Sequence, residues 1–292
     1  MRHKHLFFIL SLLVIFSCKQ KEENSTAKDT GKAEEAKEKS KESTAQPNVI
    51  VIDSLFKIPG LDRTRQIRIY LPPNYEKSDK KYPVVYMHDA QNLFDNATSY
   101  AGEWGVDESL NELSKLSDIE LIVVGIDNGE EKRMNELSPW ENTEFGKAEG
   151  KQYMEFIVNT IKPYIDTTYK TQKDREHTAI MGSSMGGLIS HYAIYKYPQI
   201  FGKAGIFSPS YWYSEKVFDF TKNQPIPEDS RIFLLIGKKE GWDMVKNTRK
   251  MNKYIISSHP EKNLKLVVDP KGEHNEAFWR KQFTQAIQWL FK

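Results

Sequence analysis

The chain has 292 residues, of which 39% are hydrophobic and 12% aromatic, enough for a sizeable core in one or two domains. A formal charge of +2 removes the electrostatic case for nucleic acid or an acidic partner. Cys18 is the one cysteine, which excludes an intrachain disulfide, and the scattered histidines form no metal-binding H-x-x-x-H pair with a nearby Glu; no metal or cofactor is expected.

The first elements are targeting signals. Arg2, His3 and Lys4 precede an apolar run from Leu6 to Phe16, too short to span a bilayer. Leu13 to Cys18 resembles a bacterial lipobox, so residues 1–17 are expected to be a signal peptide and Cys18 a lipidated N-terminus. That places the protein in the cell envelope, outer membrane and surface-exposed included, held at the membrane through lipid alone. Residues 18–47 read as a charged tether. From Lys19 to Pro47, seven lysines balance seven acidic residues, with no aromatic and no Val, Ile or Leu. Such a stretch buries too little apolar surface to offset its chain entropy and is expected to be disordered.

The folded domain is expected over 48–292. Val49 to Ile52 and Arg65 to Leu71 predict an antiparallel pair of strands turned around Pro59-Gly60. Apolar strand-type runs follow at 83–87, 121–126, 178–182, 204–207, 232–236 and 264–268. Helical spacing is expected over 107–116, 151–164, the stretch after 184, and 276–290. Strands alternating with helices predict an α/β fold: a mostly parallel central sheet with an antiparallel N-terminal hairpin and helices on both faces.

Gly182-Ser183-Ser184-Met185-Gly186 lies between a strand run and a helix run. Strand, glycine turn and helix in that order are what a nucleophile elbow requires, and they single out Ser184. A serine needs a base. In this fold class the partners follow in the order acid, then histidine, after later strands. His274 lies between the last strand and the last helix. Glu240 and Asp243 both follow the preceding strand; the shorter reach favours Glu240, and Asp243 is read as the cap of a helix starting near Met244. An oxyanion hole needs two N–H groups. Met185 follows the nucleophile, and Ala90 or Gln91 lies in the loop after 84–87, which Asp89 and Asp95 are expected to tie down by hydrogen bonds.

With these residues in place, the chain resembles the esterase-D-like group of α/β-hydrolases, which includes enterochelin, feruloyl and acetylxylan esterases and mycolyltransferases. The matching stretches are Tyr86 to Asp95, Trp104 to Asp107, Val124 to Asn128 with Arg133, Gly182 to Gly187, and Gly272 to Glu276 with Trp279. The resemblance implies the α/β-hydrolase fold, Ser184 as nucleophile, Glu240 as acid, His274 as base, and oxyanion donors at Gln91 and Met185. The group's loop usually reads Asp-Gly, where this chain has Asp89-Ala90.

The expected activity is serine-dependent hydrolysis of a carboxylic ester, on a siderophore or an acyl-decorated sugar. The alternatives are acyl transfer, or a tethered glycan- or siderophore-binding protein with a vestigial triad. Trp140, Trp212 and Trp242 fall in loops near strand ends and are read as substrate-stacking rings. Arg133 has two readings, a clamp for an anionic substrate or a partner for Glu136.

Overall fold

The structure, a computed structural model, describes residues 41–292. The expected signal peptide, Cys18 and most of the expected tether lie outside the described residues. No helix among the described residues is long and apolar enough to cross a membrane.

The strands are β1 (Val49–Val51), β2 (Phe56–Ile58), β3 (Arg63–Arg65), β4 (Ile67–Tyr70), β5 (Val84–His88), β6 (Ile122–Ile126), β7 (Thr178–Ser183), β8 (Lys203–Phe207), β9 (Arg231–Gly237) and β10 (Leu264–Asp269). The helices are α1 (Val106–Leu116), α2 (Arg133–Glu136), α3 (Gly150–Phe156), α4 (Lys162–Thr168), α5 (Met185–Lys196), α6 (Lys216–Asn223), α7 (Trp242–Ile256) and α8 (Glu276–Phe291). The main sheet runs β1-β4-β6-β5-β7-β8-β9-β10. β1, β4 and β6 pair antiparallel, and from β6 to β10 every pair is parallel.

The N-terminal strands are more elaborate than the sequence pattern predicts. β1 pairs with β4, and between them the chain forms a second, two-stranded antiparallel hairpin, β2 with β3. The turn near Gly60 closes that small hairpin, not the sheet edge. β2 carries two apolar residues, Phe56 and Ile58, and β3, Arg63-Thr64-Arg65, carries none, which leaves a weak apolar signal. Phe56 in β2 is packed edge-on against Tyr164 of α4, 4.9 Å between centroids.

Side chains of a strand point alternately to the two faces of its sheet. In β5, Val84 and Tyr86 join one core with Tyr153, Phe156, Leu188, Phe218 and Ile255. Val85 and Met87 join the other, with Leu110, Leu113, Phe283 and Ile287. α1 and α8 therefore cover one face, and α3 to α7 the other. A π-helical turn, Ile157–Ile161, joins α3 to α4 just ahead of Pro163. Proline lacks an N–H and crowds the carbonyl four residues back, and a widened turn accommodates both.

Residues 41–47 correct the tether's expected extent. They are irregular but fastened to the domain: the Thr44 hydroxyl donates to Glu103 (2.9 Å), the Gln46 N–H to Asp107 (2.8 Å), and the Lys41 ammonium to the Ser99 carbonyl (2.9 Å). Composition argues from apolar burial and is blind to a polar segment that finds acidic partners.

Candidate active site

The turn from β7 into α5 places Ser184 at φ 59°, ψ −117°, a backbone position that an L-residue holds only when its surroundings enforce it. Three bonds do so. Ser184 N–H donates to the Phe207 carbonyl (2.9 Å), and its own carbonyl accepts from Leu188 (3.1 Å) and Ser210 (3.0 Å). The turn also needs bare backbone: a Cβ on Gly182 would lie 2.8 Å from the Gly186 carbonyl carbon.

His274 follows β10, and its Nδ1 lies 2.7 Å from Glu240 Oε2. Facing a carboxylate, Nδ1 carries the proton and donates it, which leaves Nε2 as the acceptor. The Glu240 side chain is fully buried. Its other oxygen accepts from the Ser208 hydroxyl and the Gly237 N–H, each at 2.7 Å. Trp279 Nε1 donates in turn to Ser208 Oγ (2.9 Å), and the Trp279 ring meets the His274 ring edge-on at 5.1 Å. The acid is thus held from three sides and the imidazole braced from one. Gly237 and Gly272 make backbone contact where any Cβ on Gly237 would collide, and this brings the acid and histidine loops together. Asp243 does not reach His274 in this arrangement. It is exposed in the first turn of α7, which starts at Trp242 rather than Met244, and no side chain caps that helix.

The Ser184 hydroxyl rests 3.2 Å from Ser210 Oγ. Ser184 and His274 nevertheless line one cavity of about 930 Å³, with Gln91, Trp104, Arg133 and Trp279 among its other walls. Met185 is the first residue of α5, so its N–H has no acceptor within the helix. Gln91 lies in a single 3-10 turn, Ala90–Asn92, entered through Asp89 in the left-handed region at φ 58°. Its side-chain oxygen accepts from the Asn128 N–H (3.0 Å), which pins the loop to the end of β6.

Asp89 fastens the same loop. Its carboxylate takes two bonds from Arg133, at 2.6 and 2.9 Å, and one from Asn128 Nδ2 at 2.7 Å. Burial alone would raise the Asp89 pKa, but the Arg133 guanidinium outweighs it and holds the carboxyl below its ordinary value. Arg133 is therefore committed to Asp89. Glu136, the partner weighed for it from sequence, is held instead by Arg63 and Arg65. Asp95 accepts from the N–H groups of Ala97 (2.8 Å) and Thr44 (3.1 Å).

Behind the loop lies His88, buried, with Nδ1 2.8 Å from the Tyr153 hydroxyl. Burial pushes its imidazole down to about 4, and that of His191 in α5 down to about 3. Both stay neutral. A histidine whose folded pKa lies below the unfolded value of 6.5 is protonated first in the unfolded chain. Its stabilising contribution is complete above about pH 6.5 and is lost as pH falls towards 4. At about 1.4 kcal/mol per pH unit, His88 alone costs about 3 kcal/mol over that interval. Urea midpoints should therefore fall steeply between pH 6.5 and 4, and less steeply in His88→Gln. Equal slopes would show that His88 carries no such penalty.

The tryptophans named from sequence stand apart from the cavity walls. Trp140 is half-buried, edge-on to Tyr192 (5.8 Å) and Phe220 (5.5 Å), and belongs to a core cluster. Trp212 packs on Phe145 at 6.3 Å. Trp242 is 77% exposed at the start of α7. The rings that do line the cavity are Tyr100, Trp104 and Trp279. Trp104 and Trp279 occur in the stretches that carry the family resemblance, and that was their available signal; Tyr100 has none.

The family model described as Putative esterase matches residues 58–290. The uncharacterised protein YbbA of Bacillus subtilis is 31% identical over 242 residues, covering 78% of this chain and 92% of YbbA. The endo-1,4-beta-xylanase/feruloyl esterase of Xylanibacter ruminicola is 24% identical over 77% of this chain, which spans 29% of that larger protein. Among solved structures, the enterobactin esterase FES of Shigella flexneri superposes with a TM-score of 0.68 at 18% identity, covering 85% of this chain and 61% of FES. At that identity the likeness shows the α/β-hydrolase fold.

Proposed function

The chain belongs to the esterase family, and from that premise we propose that it is a serine carboxylic-ester hydrolase, anchored in the cell envelope through Cys18, that acts on uncharged esters such as acyl-decorated sugars. The observation that carries the reading is the convergence on one cavity of a strained Ser184 and an imidazole whose far nitrogen is fixed by a buried carboxylate.

In this reading, rotation about the Ser184 Cα–Cβ bond exchanges Ser210 for His274. His274 Nε2 takes the hydroxyl proton as Oγ bonds to the ester carbonyl carbon. The N–H groups of Met185 and Gln91 receive the oxyanion. Collapse breaks the ester C–O bond, and His274 returns the proton to the departing alcohol. Water then gives a proton to His274 and attacks the acyl carbon, and the acid leaves as Ser184 recovers its hydrogen. Glu240 holds the imidazole orientation and stabilises its cation throughout.

The preference for uncharged esters rests on the cavity's charges. Its two arginines are both committed, Arg68 to Asp127 at 2.8 Å and Arg133 to Asp89 at 2.6 Å. Glu130 and Glu131 add negative charge to the wall. A multiply anionic ferric catecholate meets repulsion there. Tyr100, 93% exposed and lining the cavity, offers a free ring face to a sugar or an aromatic acyl group.

A hydrolysis panel tests this choice. Feruloylated and acetylated sugars should be cleaved with kcat/KM at least about tenfold above that for ferric tri-catecholate lactones, a difference of about 1.4 kcal/mol. The opposite ranking would assign the cavity to siderophores. A new ester in place of free acid would assign it to acyl transfer.

A further inference from the structure

At the foot of α1, away from the reacting groups, Glu103, Asp107 and Glu108 bring carboxylate oxygens within 4.8 Å of one another. Glu103 is 7% exposed and Asp107 fully buried. One oxygen of each is accounted for: Glu103 Oε2 accepts from the Thr44 hydroxyl at 2.9 Å, and Asp107 Oδ2 from the Gln46 N–H at 2.8 Å. The remaining oxygens, Glu103 Oε1 and Asp107 Oδ1, are buried with no hydrogen-bond partner among the described residues, and so is Glu108 Oε2. Three orphaned carboxylate oxygens in one pocket are costly unless a cation or protons neutralise them. Among the described residues the cation nearest to it is Arg280, which stands 3.8 Å from Glu103 Oε2 and spends a nitrogen on the Glu103 carbonyl.

We propose that Glu103, Asp107 and Glu108 form a binding site for a single calcium ion, closed over by residues 41–47. The choice of ion follows from ligand chemistry. Calcium takes oxygen ligands, mono- and bidentate carboxylates among them, in a flexible geometry at about 2.3–2.6 Å. One carboxylate oxygen from each of the three residues lies within 4.8 Å of the others, close enough to converge on one ion. Magnesium demands near-ideal octahedral geometry and dehydrates reluctantly, which a largely buried set of three carboxylates does not suit. The N-terminus of α1 does not account for the cluster, since Glu103 lies outside the helix and its free oxygen meets no N–H group. The site stands apart from the ester chemistry, but it ties three parts of the chain together. Glu103 precedes Trp104 in the cavity wall, Asp107 and Glu108 open α1, and Thr44 and Gln46 belong to the segment leading back towards the N-terminus.

The alternative neutraliser is protons. Burial pushes the Asp107 carboxyl up to about 8 and raises that of Glu103, so without an ion protons would be retained there. The experiment separates the two. The full chain, freed of metal with a chelator, is titrated with Ca²⁺ and with Mg²⁺ by calorimetry. A parallel titration with Tb³⁺ follows emission sensitised by the adjacent Trp104. One Ca²⁺ per chain, with Kd on the order of 10⁻⁴ M or tighter and at least about tenfold tighter than Mg²⁺, is expected, with a rise in Tm. Glu108→Gln, which removes a half-buried carboxylate that holds no part of the 41–47 segment, should weaken Ca²⁺ at least about tenfold and reduce the Tb³⁺ signal. Glu103→Gln should do the same. No uptake of Ca²⁺ by the wild type, with Tm raised by Glu108→Gln, would mean that protons hold the cluster and would overturn the proposal. Ca²⁺ uptake unchanged in both variants would place the ion elsewhere and overturn it equally.

Discussion

Ser184→Ala should fold as the wild type does and lose ester hydrolysis by a factor of about 10⁴ or more. Folding survives because the hydroxyl contributes little: its one partner among the described residues is Ser210 Oγ at 3.2 Å, whereas the backbone N–H and carbonyl of Ser184 make the bonds that hold the turn. The loss of rate is large because alanine offers no oxygen to form the acyl-enzyme, and the oxyanion donors alone supply only residual catalysis. The check is kcat on a p-nitrophenyl ester beside Tm. A folded variant with kcat within about tenfold of wild type would remove Ser184 from the mechanism.

The second large effect concerns the acid. Glu240→Gln should lower kcat by about 10³–10⁴-fold, and Asp243→Asn by less than about threefold. Glu240 makes the 2.7 Å bond to His274 Nδ1 and is fully buried, whereas Asp243 is exposed at the start of α7. An amide keeps the volume and can still accept from Ser208 or Gly237. It removes the charge that stabilises the imidazolium, and when it donates its N–H it selects the tautomer with the proton on Nε2, which cannot act as base. Stability should change less than activity, because Gln keeps part of the hydrogen-bond set. The reverse ranking, with Asp243→Asn the more damaging, would transfer the acid's role.

Some of this molecule is legible before any coordinates. The apolar runs at 83–87, 121–126, 178–182 and 232–236 announce buried parallel strands, because strands covered on both faces show little alternation. The grouping of Ser184, Glu240 and His274 is readable because each follows a strand whose place in the chain order fixes its place on the sheet. The small β2–β3 hairpin is not readable, since its residues alternate weakly and what orders it is Phe56 meeting a helix a hundred residues away. Nor are the aromatic walls. Trp140 and Tyr100 look alike as sequence, yet one packs on Tyr192 and Phe220 and the other stands free in the cavity mouth. Burial of a single ring depends on tertiary neighbours, which local pattern does not encode. The pairing of Arg133 with Asp89 across 44 positions is hidden for the same reason, as is the acidic cluster under residues 41–47, in which Asp107 and Glu108 look like ordinary first-turn helix charges and Glu103 like a loop charge.

The central claim is that Ser184 is the nucleophile, activated by His274 held on Glu240. It is tested most directly by treating the protein with a fluorophosphonate and locating the adduct by peptide mass spectrometry. The account predicts one adduct per chain, on Ser184 and not on Ser183 or Ser210, formed at least about a hundredfold more slowly in Glu240→Gln. An adduct on another residue, or no adduct on a folded wild-type chain, would contradict it.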